Sequence, residues 1–184
     1  FGEYLYPYME SSTMQGFQRC LVTGATGFIG SHLVRRLIAC GSSVRCLVRS
    51  QASAQKLAEL RVENWVGDLL DPNELKSAVD GCDLVFHLAG VTKGVGAKQI
   101  NRINVDGVAA IAQACASQAS PPTLVYVSSL AAVGPARQGI PVTEDVSARP
   151  VSAYGRSKLA GEQILRERSS QCPASILRPP IVLG

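Results

Sequence analysis

The 184-residue sequence predicts a doubly wound α/β domain: a parallel sheet in strand order 3-2-1-4-5-6 with helices on both faces. Three observations carry that expectation. Short apolar runs alternate with helical patterns from Arg19 onward. The first run, Cys20-Leu21-Val22, passes through the glycine turn Thr23-Gly24-Ala25-Thr26-Gly27-Phe28-Ile29-Gly30 straight into a helical pattern with Leu33, Val34, Leu37 and Ile38. The fourth run, Leu84–Leu88, is almost wholly apolar, as a strand covered on both faces must be.

Taken in order, strand one falls at about 19–23, and its helix runs to about Cys40, where Gly41 ends it. Strand two is Val44–Val48, followed by a helix over Ala52–Leu60 and strand three over Val62–Val66. Asp71-Pro72 opens the next helix, with Asp as N-cap and Pro at the first helical position. After strand four comes a long alanine-rich helix at about 99–118, then strand five over Leu124–Val127. The Pro/Gly-rich stretch 134–151 reads as a loop, 152–168 as a helix and 174–178 as strand six. Such alternation implies right-handed crossovers.

Residues 18–184 are thus expected to form one domain, and residues 1–17 stand outside its pattern. Met14 is a candidate natural start with added residues before it; a native extension is the alternative. Because the sequence stops at Gly184, just past strand six, it is expected to carry half of a site, the domain that encloses a substrate being largely absent.

Composition narrows the partners. The charge of +4 is mild and its Lys and Arg are scattered, which argues against nucleic acid. No run of eighteen apolar residues suggests a membrane span. Six cysteines without CxxC or Cys/His ligand spacing read as buried thiols of a reducing cytosol, so a cytoplasmic protein without a metal site is expected. His87 has no second ligand nearby in sequence, and His32 reads as an ordinary first-turn helix residue.

The glycine turn carries the first chemistry. Gly24, Gly27 and Gly30 let the backbone approach a ligand without a Cβ in the way, and the helix start offers unpaired N–H groups to a pyrophosphate. Thr26, Phe28 and Ile29 belong to the same cradle. Asp68, with Leu69 beside it, ends strand three and is placed to accept from an adenine amino group; a plain turn aspartate is the competing reading. Leu88-Ala89-Gly90 ends strand four, where small residues let the chain pass under a ribose.

The second chemistry is Tyr154-Gly155-Arg156-Ser157-Lys158. Four residues apart on a helix, Tyr154 and Lys158 share one face. A phenol of pKa near ~10 is a poor acid–base group at neutral pH, and a neighbouring ammonium and a cationic nicotinamide would both favour the phenolate. Ser129, at the end of strand five, offers a hydroxyl to hold the oxygen that Tyr154 protonates or deprotonates.

These segments, with Asn104-Val105-Asp106-Gly107 and Arg178-Pro179-Pro180-Ile181-Val182-Leu183-Gly184, resemble in order the N-terminal, Rossmann-type domain of the extended short-chain dehydrogenases/reductases, the NAD-dependent epimerase/dehydratase family. The resemblance runs from Thr23 to Gly184. It implies that Ser129 orients the substrate, that Tyr154 is the acid–base, and that Lys158 binds the nicotinamide ribose and tunes the tyrosine. It also implies that Asn104 positions the helix or a water near Lys158, and that Pro179 and Val182 lie against the nicotinamide. A homodimer built on the helices 99–118 and 152–168 is implied as well.

Two departures from the family pattern bear on function. Leu130-Ala131 stands where sugar-nucleotide dehydratases carry an Asp-Glu pair for elimination. Strand two ends in Val48-Arg49-Ser50, with Arg45 within it, where an acidic residue would grip the adenosine ribose. A guanidinium suits a 2′-phosphate, so NADP is expected over NAD, with Arg49 the discriminating residue.

The expected activity is hydride transfer between a nicotinamide and a secondary alcohol or ketone. A sugar-nucleotide epimerase, whose small-molecule substrate would be a nucleotide sugar, is the alternative within enzymes. A non-catalytic dinucleotide-binding regulator or assembly factor is the alternative of another class. Val91–Gly96 and Arg137–Arg149 are expected to rim the substrate pocket.

Overall fold

The computed structural model describes residues 19–92, 94–136 and 141–183, so the expectations for residues 1–17 and 137–140 lie outside it. Six strands, β1 (Arg19–Thr23), β2 (Ser43–Val48), β3 (Glu63–Val66), β4 (Leu84–His87), β5 (Thr123–Val127) and β6 (Ala174–Leu177), form one sheet. All pairings are parallel and the order is β3-β2-β1-β4-β5-β6, as the alternation predicts.

Alternation along each strand fills two cores. Leu21, Leu47, Val85, Leu124 and Tyr126 pack beneath α3 (Pro72–Val79), α5 (Gly107–Ala116) and α6 (Ala153–Glu167). Val22, Val44, Cys46 and Val48 pack beneath α1 (Phe28–Ala39) and α2 (Gln51–Gln55). The helix boundaries follow from their caps. Asp71 Oδ1 accepts from the N–H groups of Asn73 and Glu74, and Pro72 follows it. Ser152 Oγ accepts from Gly155 N at 2.9 Å and starts α6. Gly41, at φ +84°, ends α1.

Two helices differ from the sequence expectation. The helix placed at Ala52–Leu60 is the short α2, started by Ser50, whose Oγ accepts from Ser53 N; residues 56–59 are turn. The long helix begins at α4 (Ala97–Asn101), passes through a π-helical turn at Arg102–Asp106 and continues as α5. The extra residue in that turn accompanies the inward placement of Asn104, which is 1% exposed. No helix among the described residues is long and apolar enough to cross a membrane.

Candidate active site

Thr23, His87 and Tyr126 stand side by side across β1, β4 and β5, and just beyond them the chain leaves the sheet into the loops that form the site. Two cavities of about 420 and 310 Å³ lie along this edge and share Gly24, Gly27, Leu88 and Gly90, which makes them one groove.

At the groove's centre the backbone does the shaping. Gly24 sits at φ +74°, and a Cβ there would lie 2.7 Å from Ala89 N, so only glycine lets β1 turn this close to the end of β4. Gly27 caps α1 without any side-chain bond, and no acidic residue occupies the first turn. Helix N–H groups and the positive end of the dipole therefore face the groove with no side-chain partner among the described residues, which fits the pyrophosphate of a dinucleotide.

The larger cavity brings together Gly24, Thr26, Gly27, Arg49, Asp68, Leu69, Leu88, Ala89 and Gly90, all expected there. Arg49 and Asp68 are exposed, and Asp68 Oδ1 accepts from Leu70 N at 3.0 Å. Arg45 does not join them. Its guanidinium is buried on the α3 side, donating to the carbonyls of Ser77, Ala78 and Asp80, pairing with Glu63 at 3.1 Å and lying 4.9 Å from the centre of the Trp65 ring. Gln99, Arg102 and Ile103 also line this cavity. The sequence reading missed them because the long helix was not known to reach back over the groove.

The smaller cavity gathers Phe28, Ile29, Gly30, Ser129, Tyr154, Lys158, Pro179 and Val182. Gly155 allows this: a Cβ there would press into the carbonyl of Ala131, so α6 starts directly against the short 3₁₀ turn Leu130–Ala132 that follows Ser129. Leu130 N donates to Pro179 O at 3.0 Å and Ser128 N to Leu177 O at 2.7 Å, which fixes the exit of β6 beside Ser129. Of the expected rim, Val91 lines the larger cavity and Thr92 the smaller. Arg149 instead lines a separate cavity with Val133, Pro135 and Pro141.

Asn104 lines neither cavity. Its Oδ1 accepts from Val91 N at 2.8 Å, and its Nδ2 donates to Val91 O and to Ser157 Oγ, both at 2.9 Å. It ties the loop after β4 to the helix bearing Tyr154 and Lys158.

The electrostatics differ from the sequence expectation in one respect. Burial pushes the Tyr154 phenol up, with the Ser129 hydroxyl opposing; the ammonium of Lys158 does not pull it down in the protein alone. Lys158 is itself lowered to about 8 by burial, partly offset by Glu162. Its Nζ stands 4.3 Å from the centre of the Tyr126 ring. His87 is held neutral, its pKa driven to about 3 by burial and then by Lys158. Ala89 N–H donates to Thr23 Oγ1, and the same hydroxyl shares a hydrogen bond of 2.7 Å with His87 Nδ1, while His87 Nε2 is buried with no partner among the described residues.

Beneath Lys158 lies a group the sequence reading did not single out. Glu162, 0% exposed, accepts from Ser128 Oγ at 2.6 Å, from Arg178 Nε and Nη2 at 2.9 and 2.6 Å, and from Arg166 Nη2 at 2.9 Å. The spacing 154/158/162 on one helix face was a signal that could have revealed it.

A groove of this build, an unpaired helix start at one glycine turn and a Ser, a Tyr and a Lys converging beside it, defines a nucleotide-binding α/β protein. Residues 20–184 match the NAD dependent epimerase/dehydratase family, and the chain belongs to it. It is 37% identical over 163 residues to a ceramide reductase of Caulobacter vibrioides, covering 89% of this chain and 46% of that protein. It is 33% identical over 170 residues to a 4-hydroxy-2-methyl-3-oxo-4-farnesyl-3,4-dihydroquinoline-1-oxide ketoreductase of Stigmatella aurantiaca, covering 90% and 51%. The UDP-glucuronic acid 4-epimerase of Bacillus cereus, solved in complex with NAD, superposes with a TM-score of 0.78 at 26% identity over 90% of this chain and 57% of that one. The chain spans about half the length of the curated relatives it matches.

Proposed function

We propose that the whole protein is a nicotinamide-dependent ketone reductase, working reversibly as a secondary-alcohol dehydrogenase. The observation that supports it best is the smaller cavity, where Ser129, Tyr154 and Lys158 face the start of α1 together with Pro179 and Val182. Bound there, a nicotinamide supplies or takes the hydride. Ser129 Oγ donates to the ketone oxygen and orients it, while Tyr154 gives its phenolic proton to that oxygen as the carbon is reduced. A phenol raised by burial keeps that proton at neutral pH. Lys158 would donate to the ribose, and its ammonium favours the phenolate left on Tyr154. No carboxylate lines this cavity among the described residues, and Leu130-Ala131 follows Ser129, so the carboxylate acid–base pair of a dehydratase has no counterpart here.

Arg49 supports the finer reading that NADP is preferred, since it is an exposed cation lining the adenosine end. The likeness to the Bacillus cereus epimerase supports a second reading, in which the same carbon is oxidised and re-reduced on a nucleotide sugar. Retained nucleotide separates them: a reductase must exchange its cofactor, an epimerase keeps it. The test is to denature the purified full-length protein, look for released nucleotide, and assay NADPH oxidation against apolar ketones. Tightly held nucleotide with no ketone-dependent oxidation would overturn the reductase reading. A protein that binds nucleotide but turns over neither substrate class would be the non-catalytic regulator. The homodimer remains a proposal on the paired faces of α4, α5 and α6, checked by sedimentation of the full-length protein.

A further inference from the structure

We propose that Glu162 is the positioning residue of this active site: one buried carboxylate that fixes, from behind, the strand ends and the helix turn carrying Ser129, Lys158 and Pro179. The inference rests on the proposed Ser129–Tyr154–Lys158 chemistry and adds to it a residue that touches neither substrate nor cofactor.

The geometry is specific. Ser128, the neighbour of Ser129, donates to Oε1 at 2.6 Å. Arg178, the neighbour of Pro179, donates to both carboxylate oxygens at 2.9 and 2.6 Å. Lys158 stands one helical turn earlier on the same face. So the ends of β5 and β6 and the middle of α6, segments 34 and 16 residues from Glu162, are set by one group. A fully buried carboxylate is costly unless its lone pairs are satisfied, and here four donors meet it. An apolar side chain here would leave Ser128 and Arg178 without their acceptor, and the charge that holds them also acts on Lys158 one helical turn away.

The groups around Lys158 and Glu162 are few. Lys158 is faced by Tyr154 and Glu162 on its own helix, by Tyr126 from β5 and by neutral His87 from β4. Glu162 is faced by Ser128, Arg178 and Arg166 and by the Tyr126 phenol of β5, which burial and then Glu162 push up. Burial raises its pKa, but bonds from Arg178, Ser128 and Arg166 more than reverse this, so it stays ionised. Its negative charge favours the protonated form of Lys158 one helical turn away, the ammonium that ketone reduction needs and that is lost as pH rises.

Opposite substitutions therefore move the alkaline limb of kcat in opposite directions. Glu162→Gln in the full-length protein removes the negative charge, shifts the limb to lower pH and lowers kcat by about tenfold to a hundredfold, with nucleotide Kd within about threefold. Arg166→Met, at a side chain 52% exposed, leaves Glu162 less neutralised and shifts the limb to higher pH. A merely structural role would change kcat without moving the limbs apart. Superimposable pH profiles for Glu162→Gln and wild type would overturn the proposal. Should Glu162→Gln fail to melt cooperatively, Arg166→Met decides: a limb moved up supports the proposal, an unmoved limb overturns it. Tyr154→Phe is the separate control. If it leaves turnover intact, the catalytic reading fails; if it abolishes turnover while both charge variants behave as wild type, only the role of Glu162 fails.

Discussion

The two ends of the groove are built on different principles. The larger cavity is shaped by backbone, and its three charged side chains, Arg49, Asp68 and Arg102, are exposed, Asp68 bonding only to its own turn. The smaller cavity stands on a buried polar layer of His87, Tyr126, Lys158, Glu162, Ser128 and Asn104, tied together by contacts between distant segments: Thr23 with His87, Lys158 with the Tyr126 ring, Ser128 with Glu162 and Asn104 with Ser157. Exposed groups in water interact weakly and change independently, whereas buried ones are coupled. Substitutions at the adenosine end should therefore alter one affinity. Those at the reacting end should alter rate and folding together.

The largest effect is expected at Tyr154. Tyr154→Phe keeps the ring and removes the proton donor, so kcat should fall by about 10²–10⁴-fold with nucleotide affinity nearly unchanged, read by steady-state kinetics and a fluorescence titration. A loss below about tenfold would remove Tyr154 from its role.

Lys158→Met sharpens the contrast, because rate and stability should move in opposite senses. Burial lowers Lys158 from an ordinary 10.5 to about 8, which corresponds to about 3 kcal/mol against folding at neutral pH. The sign follows from proton uptake: between pH 8 and 10.5 the unfolded chain binds the extra proton, so the native lysine's cost is full below pH 8 and vanishes as pH rises past 10.5. The lost contact with the Tyr126 ring returns about 1 kcal/mol of that. Activity and nucleotide affinity should fall while Tm at pH 7 rises by several degrees, and the gain should fade toward pH 10. A lower Tm at pH 7 would show that the ammonium is better compensated than its burial implies.

Gly155→Ala tests how closely the reacting end is packed. A helix-interior alanine gains about 1 kcal/mol over glycine, but here the methyl meets the Ala131 carbonyl, and overpacking costs about 1–3 kcal/mol. Packing should win, with a lower urea midpoint and a kcat reduced through the displaced Tyr154. A stabilised variant would show that α6 can slide.

Much of this was legible in the sequence for physical reasons. Alternation, the cap at Asp71 and the glycine turn are local signals, and the alternation fits the six strands in their observed order. Arg45, noted only as lying within strand two, proves to be buried against α3, because the pattern gives a strand's faces but not how far a side chain reaches into the other layer. The π-helical turn at Arg102–Asp106 breaks the very period by which helices are recognised, so the inward turn of Asn104 had no local signature. Glu162 could be placed on the face of Tyr154 and Lys158, but its partners Ser128 and Arg178 arrive from two strands, a juxtaposition only the sheet order creates.

The smallest effect, and the cleanest test of independence at the adenosine end, is expected at Arg49. It lines the larger cavity just past the end of β2, is exposed, and is adjacent to Ser50, which is occupied in capping α2. A guanidinium there would meet a 2′-phosphate with two charge-assisted bonds, while a ribose hydroxyl pair gains little from it. Because the site is open to water and salt, the difference should be modest: Arg49→Ala should weaken NADP binding by about tenfold, roughly 1.4 kcal/mol, leave NAD binding within about twofold, and change neither Tm nor the pH dependence of kcat. The preference should also shrink at high ionic strength, since an exposed pair is screened. Competitive titrations of NADP and NAD at low and high salt would measure all of this at once. If the wild type binds NAD as tightly as NADP, or if Arg49→Ala loses no NADP affinity, Arg49 does not read the phosphate. A change in Tm on the same substitution would instead mean that the two ends of the groove are coupled after all.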